Sequence, residues 1–206
     1  MDYLDALRVA HEVVRPSTYL EIGFHRGDSL ALAACRAVAV DPEPLVHDPR
    51  VVVATSDEFF ATTDLRDVDL TFVDGLHLAE YALRDVLNAE RRSAPGGVIL
   101  LDDVLPADMA WAARERTTVL WTGDVYRVVL ALRDRRPDLR VTVYDVAAKG
   151  LAVITGLDPT ATTDVAALEA DLAAGAWVVA SADELRARLE PVDPVRLATD
   201  LRARFP

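Results

Sequence analysis

Three aspartates and one histidine follow two strongly apolar runs of the sequence. Asp74 comes directly after Leu-Thr-Phe-Val, and Asp102 and Asp103 come directly after Val-Ile-Leu-Leu. His77 lies three residues beyond Asp74. Such apolar runs are typical of buried strands in a parallel sheet, and ligands bind at the edge where those strands end. We therefore expect the three carboxylates to converge, and a divalent cation such as Mg²⁺ to offset their mutual repulsion.

A purely structural role for the same residues stays open at this point. Asp102 or Asp103 could cap the turn that follows the second run, because aspartate commonly accepts hydrogen bonds from backbone N–H groups at such places. His77, taken alone, is typical of an exposed residue at the start of a helix.

A glycine turn lies nearer the beginning of the chain. Gly23 and Gly27 follow the apolar run that contains Glu21, and Asp41 lies 20 residues beyond Glu21 at the end of the next apolar run. A glycine turn after one strand and an acid ending the next indicate a ligand that carries a ribose. The middle glycine of a dinucleotide site is absent, and Glu21 would repel a pyrophosphate. An acid at that position suits the ammonium and sulfonium groups of S-adenosylmethionine.

The elements around these residues alternate between strands and helices, which predicts an α/β, doubly wound sheet of seven strands. Only six residues separate the last two runs, too few for a parallel crossover, so this pair is expected to form an antiparallel hairpin. We predict strands at 18–22, 37–40, 51–55, 69–73, 97–101, 140–144 and 151–155. We predict helices at 28–36, 78–92 and 124–136, followed by an Ala-rich tail with helix starts at Thr163-Asp164, Ser181 and Asp193-Pro194.

The helix predicted at 78–92 is amphipathic. Its apolar stripe would face the core, and its polar side would face solvent. The polar side contains Glu80, Arg84, Asp85, Asn88 and Arg91.

In these motifs and in the terminal hairpin, residues 1–157 resemble the class I S-adenosylmethionine-dependent methyltransferases. The resemblance implies that Glu21, Gly23 and Gly27 flank the methionine part of the cofactor and that Asp41 holds its ribose. It further implies that Ser56-Asp57, after the third strand, lies beside the adenine; as the alternative, this pair caps its own turn. The remaining residues, 158–206, would form a helical extension packed on this domain or on a partner subunit.

Within that class, the spacing of 28 residues between Asp74 and the Asp102-Asp103 pair resembles the metal-dependent O-methyltransferases of catechol, sugar and macrolide type. The resemblance implies that these three aspartates bind the metal and that Asp74 also lies beside the methyl donor. It implies that His77 is the catalytic base, acting with Asp74 on a hydroxyl group of a small-molecule acceptor.

Composition limits the possible partners. The formal net charge is −12, which disfavours binding to nucleic acid or to an anionic membrane surface. No apolar run approaches the ~20 residues that span a bilayer, and the first residues do not resemble a secretory signal. We expect a cytoplasmic protein that binds a small molecule and that could form a homo-oligomer.

Four alternatives remain. The first is a metal-independent methyltransferase with another acceptor atom, and the second is a catalytically silent scaffold that binds S-adenosylmethionine. The third is a nicotinamide-dependent reductase, which the missing glycine and the absence of a Tyr-x-x-x-Lys pair disfavour. The fourth is a phosphorylatable receiver domain, in which the acid pair would follow the first strand and not the fifth.

Overall fold

The computed structural model of the protein describes residues 1–205, which form one mixed sheet with helices on both faces. The strands are β1 (Thr18–Ile22), β2 (Arg36–Val40), β3 (Val51–Val52), β4 (Val68–Val73), β5 (Ser93–Asp102), β6 (Arg140–Tyr144) and β7 (Leu151–Thr155). The α-helices are α1 (Tyr3–Val14), α2 (Ser56–Thr62), α3 (Ala79–Glu90), α4 (Tyr126–Arg135), α5 (Val165–Ala173), α6 (Ala182–Leu189) and α7 (Leu197–Arg202).

The strand order is β3-β2-β1-β4-β5-β7-β6. The first five strands in this order are parallel to one another, whereas β7 is antiparallel to both β5 and β6. The doubly wound sheet and its terminal hairpin are therefore confirmed. All the parallel strands end at one edge of the sheet, and the β6–β7 loop lies at that same edge because β7 begins opposite the last residue of β5.

Two apolar layers cover the sheet. On one face, α1 and α7 pack through Leu7, Ala10, Leu197 and Leu201 against side chains that include Phe72. On the other face, α2 to α6 pack against the opposite side chains of the same strands. Because both faces are covered, β1 and β7 are buried at every position, as is typical of central strands in this architecture.

The helix predicted at 28–36 is wrong. The chain forms only a 3₁₀ turn at Leu30–Leu32 in this region. Gly27 closes a turn onto Phe24, with 2.8 Å between the Gly27 nitrogen and the Phe24 oxygen, and β2 already begins at Arg36. Eight residues lie between Gly27 and Arg36, and only Leu30–Leu32 among them adopt helical geometry before the chain extends into β2.

The three helix starts predicted in the tail are present. Asp164 caps α5, Ser181 caps α6, and Asp193 caps the 3₁₀ turn Pro194–Arg196 that leads into α7. Glu184 does not complete a reciprocal capping box, because its carboxylate accepts from the Ala180 nitrogen at 2.8 Å. The proposed division between residues 1–157 and 158–206 stays a prediction.

Within residues 1–205, none of the helices combines the length and the apolar character needed to cross a bilayer.

Glu21 is an acid buried at the centre of the sheet. It is 0% exposed, and its carboxylate accepts hydrogen bonds from the Tyr19 hydroxyl at 2.7 Å and from the Ser29 hydroxyl at 2.8 Å. Burial raises the pKa of Glu21 from 4.5 to about 7, although both hydrogen bonds favour the charged form and lower it.

We expect Glu21→Gln to change how stability depends on pH. A carboxyl whose pKa is higher in the folded state binds more protons there, so the free energy of unfolding falls as pH rises from 4.5 to about 7. The fall due to Glu21 is at most ~3 kcal/mol and should be absent in Glu21→Gln. Urea unfolding of the wild type and of Glu21→Gln at pH 5 and pH 8 measures this contribution. If the two proteins differ in unfolding free energy by the same amount at both pH values, the prediction is contradicted.

Candidate active site

A cavity of about 760 Å³ opens at the carboxyl edge of the sheet. The turns after β1, β2, β3 and β4 supply most of its walls, together with α3 and the β6–β7 loop. Its lining includes Gly23, Gly27, Ser29, Asp41, Glu43, Ser56, Asp57, Asp74, Leu76, His77, Tyr81, Asp85, Arg116 and Lys149. A volume of this size is typical of sites for small ligands and cofactors.

The turn after β1 lies directly against the backbone that follows β4. A Cβ atom on Gly23 would lie 2.0 Å from the Asp74 carbonyl oxygen, and Gly23 has φ +91°. Only glycine fits this crossing without a shift of backbone. The close approach is what brings Asp74 beside the predicted cofactor turn.

Asp41 holds that turn in shape. Its Oδ2 accepts hydrogen bonds from the backbone nitrogens of Phe24 at 2.9 Å and His25 at 2.8 Å, and its Oδ1 accepts from Glu43 at 2.8 Å. Asp41 and Glu43 both line the cavity, whereas Glu21 does not reach it and acts on it through Ser29.

Ser56 and Asp57 line the cavity, and their place beside the adenine stays a prediction. Asp57 is held by Arg84 through contacts of 3.0 and 2.8 Å. Arg84 in turn pairs with Glu169 of α5 at 2.7 Å. The C-terminal tail thus supports one wall of the cavity.

The carboxylates at the ends of β4 and β5 are compensated by two cations. His77 Nε2 lies 3.2 Å from Asp74 Oδ1, and His77 Nδ1 lies 2.8 Å from Asp103 Oδ2. Lys149 Nζ lies 2.5 Å from Asp103 Oδ1. Lys149 and a protonated His77 thus supply positive charge between these carboxylates, and the predicted divalent cation stays a prediction.

Three ligand atoms from Asp74, His77 and Asp103 lie within 4.8 Å of one another, which is close enough to bind one metal ion. The predicted set contained Asp102, and in this group of close donor atoms His77 stands in its place. Asp102 is the last residue of β5 and is 6% exposed. Burial, together with the charges of Asp74 and Asp103, raises the pKa of the Asp102 carboxyl well above its ordinary value.

Sequence reasoning missed Lys149 as a site residue. Its backbone oxygen accepts from the Leu105 nitrogen at 2.6 Å, and Gly150 has φ +72° with no space for a side chain beside Leu105. These contacts fix the β6–β7 loop against the segment after β5. The predicted hairpin already implied that residues 145–150 return to the carboxyl edge, and Lys149 is the only lysine in the chain.

His77 is enclosed by the segment between β5 and α4. Its ring stacks on Trp121 with 5.0 Å between centroids, and its Nδ1 lies 3.2 Å from the Trp121 oxygen. Burial by itself lowers the pKa of His77, but the contacts with Asp103 and Asp74 outweigh it and raise the pKa to about 10. The imidazole is therefore protonated at neutral pH in this arrangement.

The helix pattern predicted that Asp85 would face solvent, and this prediction is wrong. It is 2% exposed and lines the cavity next to Ser56. Burial raises the pKa of Asp85 to about 7, with a smaller contribution in the same direction from Asp57. The sequence alone does not distinguish a buried acid on a helix from an exposed acid a few residues away, because both follow the same polar pattern.

Comparison with known proteins finds a partial match to a methyltransferase family and a shared fold with solved methyltransferase structures. Residues 20–104 match the family model described as a methyltransferase domain. No curated protein matches the sequence significantly. Many solved structures share the fold, and all of those compared below have low sequence identity to this chain.

Cofactor-bound Rv0187 from MTB superimposes with a TM-score of 0.58 at 18% identity, over 77% of this chain and 82% of the other. The O-methyltransferase TomG from Streptomyces achromogenes, in complex with SAM, has a TM-score of 0.56 at 17% identity, over 74% and 78%. The O-methyltransferase from Bacillus cereus, in complex with SAH, has a TM-score of 0.55 at 15% identity, over 75% and 81%.

We expect Gly123→Ala to disturb the position of His77. Gly123 has φ +54°, and a Cβ atom there would lie 1.6 Å from the His77 carbonyl oxygen. Gly175 has φ +86° with nothing within 4 Å, so Gly175→Ala is a control for backbone strain alone. Gly175→Ala should cost about 1–2 kcal/mol of unfolding free energy, and Gly123→Ala distinctly more. If denaturant unfolding shows the same loss of unfolding free energy for Gly123→Ala and Gly175→Ala, the contact between the new Cβ atom and His77 is relieved at no cost and the prediction is contradicted.

Proposed function

We propose that this chain is a class I S-adenosylmethionine-dependent methyltransferase that methylates a hydroxyl oxygen of a small molecule. The match of residues 20–104 to a methyltransferase domain and the shared fold support the class. The observation that carries the proposal is the continuity of one cavity from the glycine turn to His77. Asp74, His77 and Lys149 line the same space as Gly23, so a donor bound at the turn would present its methyl group to these polar side chains.

The cofactor would extend along the turns of the parallel strands. Gly23 and Gly27 would flank its methionine part, Asp41 its ribose, and Ser56 and Asp57 its adenine. All five line the cavity, and Asp41 keeps the turn in the shape that the ligand would meet. Glu21 would contribute indirectly by holding Ser29.

The chemical step needs alignment and removal of a proton. The sulfonium already activates the methyl group, so the protein has to bring the acceptor oxygen into line with carbon and sulfur. His77 is the proposed base, with Asp74 and Asp103 fixing its ring. Because the two carboxylates hold a proton on the imidazole, His77 accepts the hydroxyl proton only after it has first become neutral.

The donor atoms of Asp74, His77 and Asp103 fit a divalent cation, since carboxylate oxygens and an imidazole nitrogen are common ligands of such ions. When bound, Mg²⁺ or a similar cation would lower the pKa of the acceptor hydroxyl and position it. Asp103 would then have to leave its ion pair with Lys149, at least in part. A ring nitrogen of His77 that bound the ion would not also take the hydroxyl proton.

A metal-independent methyl transfer is the second candidate, and the contact between Lys149 and Asp103 favours it. Lys149 supplies a positive charge at the site without a bound ion. It lines the cavity and is 26% exposed in its side chain, so it is also able to contact an acceptor.

The proposed acceptor is a small molecule with an apolar surface. Leu76 lines the cavity next to His77 and is 48% exposed, and Trp121 covers the His77 ring. Arg116 adds a positive charge to the same lining. The exposed Leu76 suits an apolar ring system, and Arg116 is the contribution of the segment between β5 and α4 to this lining.

We expect His77→Ala to lower turnover by a factor of about 10²–10⁴, the usual loss for a positioned base. The assay uses S-adenosylmethionine with a labelled methyl group and a panel of small-molecule hydroxyl acceptors. Binding of S-adenosylhomocysteine, measured by calorimetry, should barely change in the variant. Since the carboxylates raise the pKa of His77, the acidic limb of the wild-type pH–rate profile should lie above the ordinary imidazole value of 6.5.

Near-normal turnover of His77→Ala would assign the base to another group. Binding of NAD in preference to S-adenosylhomocysteine would refute the methyl donor itself and favour the reductase.

Calorimetric titration with Mn²⁺ distinguishes the two candidates for charge compensation. If Asp74, His77 and Asp103 bind a metal, Asp103→Asn should abolish binding. Lys149→Met should tighten binding by about tenfold or more, because it removes a competing charge in direct contact with Asp103. Arg116→Met is the matched control, since Arg116 lines the cavity but forms no ion pair with Asp103. Absence of Mn²⁺ binding in every variant, with turnover unaffected by EDTA, would leave the metal-independent reaction.

A further inference from the structure

A second cavity, of about 360 Å³, lies between α7 and the β6–β7 end of the sheet. We call it the α7 cavity. Within residues 1–205, no residue lines both the α7 cavity and the candidate active site. The polar and charged side chains that decide its chemistry are those of Arg140, Thr142, Tyr144, Arg196, Asp200 and Arg204.

The floor of the α7 cavity is the polar face of β6. Alternate residues of a strand point to opposite faces, so Arg140, Thr142 and Tyr144 share one face, while Val141 and Val143 pack in the core on the other. A polar face on an edge strand would ordinarily meet solvent. Here α7 and the residues at its two ends lie over that face, so polar side chains enclose a space between helix and sheet.

Positive charge in the α7 cavity is only partly compensated. Its three arginines face one carboxylate, Asp200, whose Oδ1 lies 3.3 Å from Arg196 Nη2 and whose Oδ2 accepts from the Tyr144 hydroxyl at 3.0 Å. Arg140 and Arg204 form no ion pair with any carboxylate of residues 1–205. Burial lowers the pKa of Arg204, and the charge of Arg140 lowers it further. Two unpaired guanidinium groups therefore repel each other across this cavity, in a chain whose net charge is −12.

Another arginine-lined cavity of the protein shows the contrast. Arg84, Arg114 and Arg127 line a space beside α3 and α5, and each of them lies within 2.8 Å of a carboxylate oxygen. Arginines that are already paired with acids have little attraction left for an anion. The α7 cavity differs because two of its arginines lack such partners in the part of the chain that the structure describes.

The lining of the α7 cavity matches a phosphate group in charge and in hydrogen bonding. Guanidinium groups bind phosphate oxygens through paired hydrogen bonds, and a phosphate monoester carries a charge of about −1.5 to −2 at pH 7. The half-buried hydroxyl of Thr142 is a further donor in the floor. The cavity is larger than a phosphate ion, and Val153 and Leu201 add apolar lining for an attached organic group.

We propose that the α7 cavity binds a small organic phosphate monoester. Arg140 and Arg204 hold the phosphate, and the Thr142 hydroxyl donates a hydrogen bond to it. Asp200 keeps Arg196 and Tyr144 in place and reduces the net positive charge of the lining. The inference goes beyond the proposed methyl transfer and does not depend on it, because the two cavities share no lining residue.

The test is calorimetry of the full chain with glycerol 3-phosphate as the probe, at physiological ionic strength and without phosphate or sulfate in the buffer. The wild type should bind one equivalent. Arg140→Met and Arg204→Met should each weaken binding by about tenfold or more, because each removes a charged donor to the phosphate. Arg202→Met is the matched control and should bind as the wild type does, since Arg202 is an exposed arginine of α7 outside the lining.

Asp200→Asn changes binding in the opposite direction. It removes the one negative charge of the lining, so glycerol 3-phosphate should bind more tightly than to the wild type. The amide oxygen is still able to accept from the Tyr144 hydroxyl. Circular dichroism of each variant checks that the fold is kept.

Three outcomes would overturn the inference. The first is a wild type that does not bind glycerol 3-phosphate, and the second is an equal loss of affinity in Arg202→Met and Arg140→Met. The third is a loss of affinity in Arg116→Met but not in Arg140→Met, which would place the anion in the candidate active site. Succinate is the comparison probe, and tighter binding of succinate than of glycerol 3-phosphate would refute the choice of a phosphate.

Discussion

A carboxylate enclosed at the carboxyl edge of the sheet organises the site. The Asp103 side chain is 1% exposed, and a charge removed from water to that extent is tolerated only with close partners. Its partners come from two other elements, His77 after β4 and Lys149 before β7. Asp103 itself has φ +65°, a conformation that aspartate adopts more readily than most residues. The site therefore depends on the strand order, which brings these three segments to one edge.

Much of this arrangement could be predicted from local patterns. Apolar runs that end in Asp74 and Asp102 predict two neighbouring strands, and the observed register pairs Val73 with Leu101, directly before these acids. The short loop before β7 predicts an antiparallel hairpin. That hairpin also implied the place of Lys149, because Asp102 is paired with Leu151. The lysine was overlooked since its contact with Asp103 depends on the side chain's reach and not on any motif.

Other features depend on packing between distant segments, which residue patterns do not encode. Helix propensity favoured 28–36, but the segment between the turn at Gly27 and the start of β2 contains only one 3₁₀ turn. Asp85 lies on the polar side of a helical pattern, yet α2 and the cavity cover it. The approach of Gly123 to His77 joins segments more than forty residues apart. Departures of this kind from local rules concentrate near the cavity, where a site has to combine polar groups with burial.

Lys149, the only lysine of the chain, makes the site selectively reactive toward amine-directed reagents. Arginine accounts for all the other residues in the Lys and Arg total. An amine-directed reagent therefore has one side chain to modify besides the α-amino group. That side chain belongs to the cavity wall, and its ammonium is held by Asp103, whose charge counters the effect of burial and raises the pKa of Lys149. A paired, protonated amine is a poor nucleophile. The rate at which Lys149 is acylated in the intact protein would therefore depend on how often its ion pair with Asp103 opens. Mass spectrometry of the one peptide that contains Lys149 would measure this rate, and a ligand that covers Lys149 would lower it.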